Sequence, residues 1–418
     1  MSEASNVLNE KPERPVTWTT VNAGEAAFPG VPTPLSWTWS WWPTECGIRG
    51  AFTSIGAFPA SFAEAPRALA DRLLTIHYGN VAINLDLFRA VADAIPNSSG
   101  DDVERAYFGS VRPGVSGRPR RSRYPVVAAR MPGAAVRSRL RVRRLAGPMD
   151  RWWREAVARP HLDVASARAL LIESQRRYTE ISPSHVVVGM VTQGLYDKVR
   201  DLCAAAGMPD AAGALVPGGQ DEARWLTELW DVARGVATMD RFLVRHGYHG
   251  PLEGELSSPT WRIDPGPLQK LLGAYRRDTG RESPAVLFAR RADELRDNQA
   301  RLLAALPPHR RGAARALLGA ARAYMPLRES GRATFLRAYD VARHAARAIG
   351  RHLAERDRID VPEDVFYLTL AELTGPRQPP DARALVAARR ELRERYRGVG
   401  LHGRPPRCPP PTSCWAST

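Results

Sequence analysis

Apolar residues recur every three or four positions through most of the chain between residues 150 and 355. This spacing places them on one face of an α-helix, whereas the alternation typical of strands is rare. We therefore predict an all-α, mostly helical fold with few short strands, the latter at 124–129 and 365–370. The predicted helices are 150–158, 164–182, 184–206, 222–246, 267–277, 284–305, one long helix over 311–355, and 380–398.

The two ends of the chain have different patterns. Residues 1–17 are expected to form a flexible leader, and 18–43, with five tryptophans and several prolines, an extended strap packed on the protein body. Residues 60–94 are predicted to be helical. After 398 the chain is rich in proline and cysteine and has no apolar face, so 398–418 is expected to be a disordered tail. This leaves one helical domain over 18–397, which can be divided into subdomains of about 18–150 and 151–397.

Composition excludes several classes of protein. No apolar stretch of the 418 residues approaches the roughly 18 residues of a spanning helix, and the N-terminus lacks the features of a secretory signal. The four cysteines are scattered, which argues against a disulfide scaffold or a zinc ribbon. We therefore expect a cytoplasmic protein with no membrane partner.

The net charge of +16 has a compositional explanation. Nearly all the basic residues are arginine, and the chain is also rich in Ala, Gly and Pro, all of which have GC-rich codons. Residues 118–144 contain ten arginines and no acid, which would suit a polyanion or simply a solvated surface. The second interpretation is favoured, and a nucleic-acid partner is not expected.

Charge interrupts the apolar stripe of the long predicted helix. Arg328 and Arg332 lie four residues apart just after Pro326, where a kink is expected, and the stripe would place both side chains inward. Burying an unpaired guanidinium costs several kcal/mol, so carboxylates from another helix or a bound anion must face them. From the residues alone an ion-pair network is favoured over a guanidinium clamp for a phosphate-like group.

A second candidate constellation is the spacing HxxHxxxE of His246, His249 and Glu253. Four nearby Gly and Pro residues place it in a loop rather than on the helix of a zinc protease. No metal site is predicted there. Phosphate-binding glycine loops, nucleophile elbows and dinucleotide-binding fingerprints are not found in the sequence.

Four segments, in order, resemble the acceptor domain of rifampin phosphotransferases and related phosphoenolpyruvate-synthase-like enzymes. Residues 18–37 (WTTVNAGEAAFPGVPTPLSW) resemble the start of that domain, and 247–257 (GYHGPLEGELS) its GHRGxxExDL segment. Residues 327–332 (LRESGR) resemble its LREYxK-like motif, and 363–373 (EDVFYLTLAEL) its EDVFYLTxxEL motif. The resemblance extends over roughly residues 18–398.

The resemblance implies a phosphotransferase in which a nucleotide-grasp module uses ATP and magnesium, and a swivelling domain carries the phosphate on a histidine. In that setting Arg328 and Arg332 would be catalytic, contacting the phosphoryl group and the acceptor hydroxyl. The second position is often lysine in the family, and an arginine there cannot handle a proton. Asn22, Glu25, His249, Glu253 and Glu329 would bind the acceptor, although Tyr248 stands where the family usually has a basic residue.

The other two modules of such an enzyme are not recognised in this sequence. We therefore expect a truncated acceptor-binding part that binds no cofactor alone and transfers phosphate only with a separate ATP-grasp and swivel-domain protein. Whether the chain is itself an enzyme is left open. Two alternatives remain: a binding or regulatory module for an apolar hydroxylated small molecule, and a basic nucleic-acid-binding scaffold.

Overall fold

The computed structural model describes residues 6–20, 30–96, 98–108, 110–278, 280, 282–376 and 379–399. It is mostly helical, with three short strands in the described part, which confirms the predicted fold class. The chain divides into two compact units, one made of residues 1–132 and 350–418 and the other of residues 133–349. The predicted domain boundaries were drawn on composition and stay a prediction. None of the described helices is long and apolar enough to cross a membrane.

Among its described residues, the first unit contains a small antiparallel sheet and five complete α-helices. Strands β1 (Trp18–Thr19), β2 (Leu74–His77) and β3 (Asn80–Asn84) are arranged in the order β1-β3-β2. Tyr78 and Gly79 both have positive φ, as a two-residue hairpin turn requires. The helices are α1 (Pro34–Ser54), α2 (Leu85–Ala92), α3 (Gly100–Phe108), α11 (Leu370–Thr374) and α12 (Ala382–Arg397).

The hairpin corrects the prediction of helix over 60–94. Apolar residues have helical spacing over 60–94, but only 85–92 forms a regular α-helix. The turn at 78–79 lets the apolar residues before it pair with those after it as strands β2 and β3. Ile76 and Val81 are fully buried in the same core cluster as Trp37 and Leu8. Tertiary burial therefore decides the conformation of this segment.

The predicted extended strap over 18–43 is also partly wrong. Helix α1 begins at Pro34, because Thr33 caps it and proline is tolerated in the first helical turn. Trp37 and Trp39 are buried, so the tryptophans do pack inward, but from a helix.

The second unit contains the helices that carry the candidate site. They are α4 (Tyr124–Val157), α5 (Val164–Ala205), α6 (Gln220–Ala233), α7 (Met239–His246), α8 (Gly266–Arg277), α9 (Pro284–Ala305) and α10 (Pro308–Glu355), and the division between the units falls inside α4 and α10. The long helix predicted over 311–355 is confirmed as α10. The helix predicted over 222–246 is two helices, since Gly235 has φ +76° between them.

Both predicted strands are wrong. Residues 124–129 form the start of α4, and 365–370 lie in a 3₁₀ segment, Pro362–Tyr367, and the start of α11. The 3₁₀ segment packs close to α10, since a Cβ on Gly350 would lie 2.1 Å from the Pro362 carbonyl oxygen. The predicted tail falls almost entirely on residues 400–418, outside the described part of the chain.

Candidate functional site

The turn of α10 that carries Arg328 and Arg332 presents both side chains to the surface. Leu327 and Gly331 are the buried positions of this turn, and both arginines are exposed. The prediction that the arginines point inward is therefore wrong. The inward stripe runs one residue earlier than the sequence pattern suggested, and one helix residue is a rotation of about 100°.

His185 of α5 packs against this turn. A Cβ on Gly331 would lie 2.6 Å from the His185 Nδ1 atom, so only glycine lets the imidazole sit there. The ring stacks edge-on against Phe335 at a centroid distance of 5.1 Å. Burial, together with the smaller effect of the positive charges of Arg328 and Arg332, lowers the pKa of His185 to about 4. His185 is thus a neutral imidazole beside two arginines at neutral pH.

Arg332 connects the LRESGR turn to the loop over 247–265. Its guanidinium donates to Glu253 Oε2 at 2.6 Å, and Glu253 Oε1 lies 2.7 Å from His249 Nδ1. His249 Nε2 lies 3.6 Å from Asp221 Oδ2 at the start of α6. Burial raises the pKa of Glu253, but the contacts with His249 and Arg332 outweigh it, so that pKa is lowered. Glu253 is therefore a carboxylate held between an imidazole and a guanidinium.

Glu329 has a different environment from its neighbour Arg328. Its carboxylate accepts hydrogen bonds from the backbone N–H groups of Gly219 at 2.8 Å and Asp221 at 2.9 Å. Gly219 is the N-cap of α6 and has no side chain with which to cap it. Glu329 thus caps another helix, which fixes Asp221 relative to the LRESGR turn.

The loop over 247–265 is positioned by a buried arginine and by close backbone approaches. Arg343 is 1% exposed and donates to the carbonyl oxygens of Leu252, Glu253 and Glu255. A Cβ on Gly250 would lie 2.7 Å from the Pro259 carbonyl oxygen. The segment is a loop as predicted, and it is held rigidly enough to fix His249 and Glu253.

Four of the predicted site residues therefore belong to one connected set: His249, Glu253, Glu329 and Arg332. Arg328 lies one turn before Arg332 and has no ion pair among the residues that the structure describes. Asn22 and Glu25 lie outside the described residues. The roles assigned to all seven residues stay predictions.

Sequence reasoning missed His185, Asp221 and Arg343. His185 and Asp221 lie far from the LRESGR segment along the chain, and Arg343 is one of many arginines of α10. No spacing rule connects any of the three to the segment. In the described ranges no group of three or more His, Cys, Asp or Glu side chains could hold a metal ion.

Comparison with protein families gives one result. Residues 182–329 match the family model of the rifampicin phosphotransferase fourth domain. The match covers about a third of the chain and includes His185, Asp221 and the loop at 247–265, and it ends at Glu329. It confirms the rifampicin phosphotransferase resemblance over that segment. No curated protein matches the chain in a sequence search.

Proposed function

We propose that this chain binds a hydroxylated, apolar small molecule as the acceptor of a phosphoryl group, as the acceptor-binding part of a rifampicin phosphotransferase-like enzyme. The observation that carries the proposal is the 2.6 Å ion pair between Arg332 and Glu253. It joins two separately recognised segments, 247–257 and 327–332, into one site. ATP, magnesium and a phosphohistidine would be supplied by nucleotide-grasp and carrier modules.

Arg328 and Arg332 have the properties that phosphoryl transfer requires. Both are exposed and four residues apart on one helix face, so two guanidinium groups can contact the oxygens of one phosphoryl group. Charge on those oxygens develops in the transition state, and fixed positive groups stabilise it. Glu253 orients Arg332, while Arg328 stays available for the incoming group.

The transfer step also needs a proton acceptor. The acceptor oxygen forms a bond to phosphorus, the bond from phosphorus to the carrier imidazole breaks, and that imidazole keeps the electron pair. The hydroxyl proton cannot go to Arg332, which is always protonated. We assign this proton to His185. Its imidazole is neutral and packed beside the same turn, and the negative charge of a bound phosphoryl group would raise its basicity.

Aromatic side chains next to this turn support an apolar acceptor. Phe335 is half-buried and lies 5.1 Å from the His185 ring and 5.5 Å from the Tyr178 ring. Aromatic rings of this kind contact apolar molecules through their faces and edges, and these contacts need no hydrogen bond. Rifampicin, which the matched family is named for, is therefore the first probe.

The proposal is tested by mass spectrometry of rifampicin incubated with the full chain, ATP, magnesium and the nucleotide-grasp and phosphohistidine modules of a rifampicin phosphotransferase. We expect a phosphorylated product with the wild-type chain and a loss of at least about 100-fold in Arg328→Ala. Arg290→Ala is the matched control, because this exposed arginine is on α9 rather than α10 and pairs with Glu282.

Rifampicin that is bound but never phosphorylated would overturn the transfer function and favour a binding module without chemistry. Equal product formation by Arg328→Ala and wild type would overturn the assigned site.

A further inference from the structure

Two adjoining cavities lie on the side of α10 that faces away from Arg328 and Arg332. The smaller, of about 180 Å³, is lined on α10 by Pro326, Glu329, Ser330, Ala333 and Arg337, and the larger has a volume of about 310 Å³. They share Asp221, Arg224 and Arg337 as lining residues. Successive helix residues are about 100° apart, so Ser330 and Arg328 project to nearly opposite sides. These cavities therefore lie on a different side of α10 from the two arginines, although Asp221 and Glu329 connect them to the candidate site.

The larger cavity is lined by one arginine from each of four helices. These are Arg154 of α4, Arg224 of α6, Arg245 of α7 and Arg337 of α10. Four guanidinium groups around one small volume repel one another, so negative charge has to be placed between them.

Two carboxylates pair with three of the four arginines, and a third, Asp221, also lines the cavity, which leaves one net positive charge among these groups. Asp150 lies 2.8 Å from Arg154 and 3.2 Å from Arg337, and Glu228 lies 3.1 Å from Arg245. Arg224 is exposed, lines both cavities, and has no ion pair within the described ranges of the chain. One positive charge at the junction of the cavities is thus available to an anion.

His246 lines the same cavity and has an unused polar atom. The residue is 4% exposed, and its Nε2 lies 3.2 Å from Glu228 Oε2, but neither ring nitrogen has a hydrogen-bond partner in the part of the chain that the structure describes. Burial lowers the pKa of His246 against the opposing effect of Glu228, so the imidazole is neutral at neutral pH. A neutral imidazole has one N–H and one acceptor nitrogen, so with the proton on Nε2, beside the Glu228 carboxylate, Nδ1 accepts a hydrogen bond from whatever occupies the cavity.

We propose that the larger cavity is a binding site for a small hydroxylated oxyanion, whose carboxylate or phosphate contacts Arg224 and whose hydroxyl donates to His246 Nδ1. The volume of about 310 Å³ is at the small end of ligand pockets and suits a hydroxycarboxylate or a phosphate monoester. The guanidinium group of Arg224 binds either kind of oxyanion, and the test below distinguishes them.

The test uses the full chain labelled with ¹³C at the histidine Cε1 atoms, titrated at constant ionic strength with lactate, acetate and inorganic phosphate. His246, assigned with the His246→Asn variant, reports the cavity, whereas His185 reports the Arg328–Arg332 turn. We expect a saturable shift of the His246 signal with lactate or phosphate. Acetate, which has the charge but no hydroxyl donor, should need about tenfold higher concentration.

Variants sharpen the test. Arg224→Gln should raise the half-saturating concentration about 10- to 100-fold, since it removes a charge-assisted hydrogen bond, and Arg224→Lys should have a smaller effect. Arg290→Gln, the control, should change the half-saturating concentration less than twofold. A His246 signal that never shifts saturably, or that saturates equally in Arg224→Gln, overturns the proposal. A shift of the His185 signal alone would also overturn it, while leaving the function proposed for Arg328 and Arg332 intact.

Discussion

Two turns of α10 carry charged side chains whose environments are opposite. At the second turn, Asp340 is fully buried and accepts hydrogen bonds from Trp153 Nε1 at 2.8 Å and from Arg262 at 2.9 Å. Arg343, also buried, donates to three loop carbonyl groups. At the first turn, Arg328 and Arg332 are exposed, and only Arg332 has an ion pair among the residues that the structure describes. The buried charges of Asp340 and Arg343 have their partners in place and stabilise the fold. The exposed charges of Arg328 and Arg332, next to Gly331, are available to a ligand.

The largest expected effect comes from breaking the buried turn. Asp340→Ala removes the acceptor of Trp153 and Arg262 and leaves a charge without its partner. We expect it to lower the free energy of unfolding by about 3–5 kcal/mol, measured by urea denaturation. Arg328→Ala, the matched change at the exposed turn, should cost no more than about 0.5 kcal/mol. Similar costs for both would remove the distinction between the two turns.

The second largest expected effect is the pH dependence of stability, which comes from His185 beside the exposed turn. The His185 pKa is lowered from 6.5 to about 4 in the folded protein, so the unfolded chain binds more protons between those values. Stability should therefore fall as the pH drops from about 6.5 to 4, by at most about 3 kcal/mol from this residue. His185→Gln should flatten that part of the profile, and Arg328→Gln should raise the His185 pKa in a ¹³C NMR titration. An unchanged pKa in Arg328→Gln would mean that the arginine is not near the imidazole.

Two glycines of α10 provide a third comparison. Gly331→Ala would place a Cβ 2.6 Å from His185 Nδ1, and we expect a loss of about 1–3 kcal/mol in thermal or urea unfolding. Gly319→Ala meets no atom within 4 Å, so it should stabilise the helix by about 0.5–1 kcal/mol. A stabilised Gly331→Ala variant would show that His185 does not pack on this turn.

The smallest effect concerns the ion pair itself. The Arg332 side chain is 63% exposed and that of Glu253 is 17% exposed, so solvent screens part of their attraction. A double-mutant cycle with Arg332→Gln and Glu253→Gln should give a coupling free energy of less than about 1 kcal/mol. A much larger coupling would place Arg332 among the fold-stabilising charges.

The sequence predicted most of the helical segments of the second unit, because long amphipathic segments leave little choice of conformation, but it divided α5 in two, joined α6 to α7 and missed the first part of α4. In the first unit it predicted α12 but not the sheet, because strands β2 and β3 are only four and five residues long and their burial depends on distant residues such as Trp37. It also failed at α1, because the prolines that suggested an extended strap include one that is compatible with a helix start.

Prediction of the candidate site failed for a more local reason. The charge at residues 328 and 332 was identified, but assigning it to the inward stripe was wrong by a single residue, which rotates a side chain by about 100°. The partner of Arg332, Glu253, was singled out separately. Asp221 and His185 were not found, since only the fold brings them to this turn.

The central claim is that an acceptor binds at the Arg328–Arg332 turn, and a rifampicin titration of the ¹³C-histidine-labelled chain tests it most directly. We expect a saturable shift of the His185 signal, no matching shift of the His246 signal, and weaker binding in the Arg328→Ala/Arg332→Ala double variant. Binding that leaves the His185 signal unmoved, or no binding at all, would contradict it.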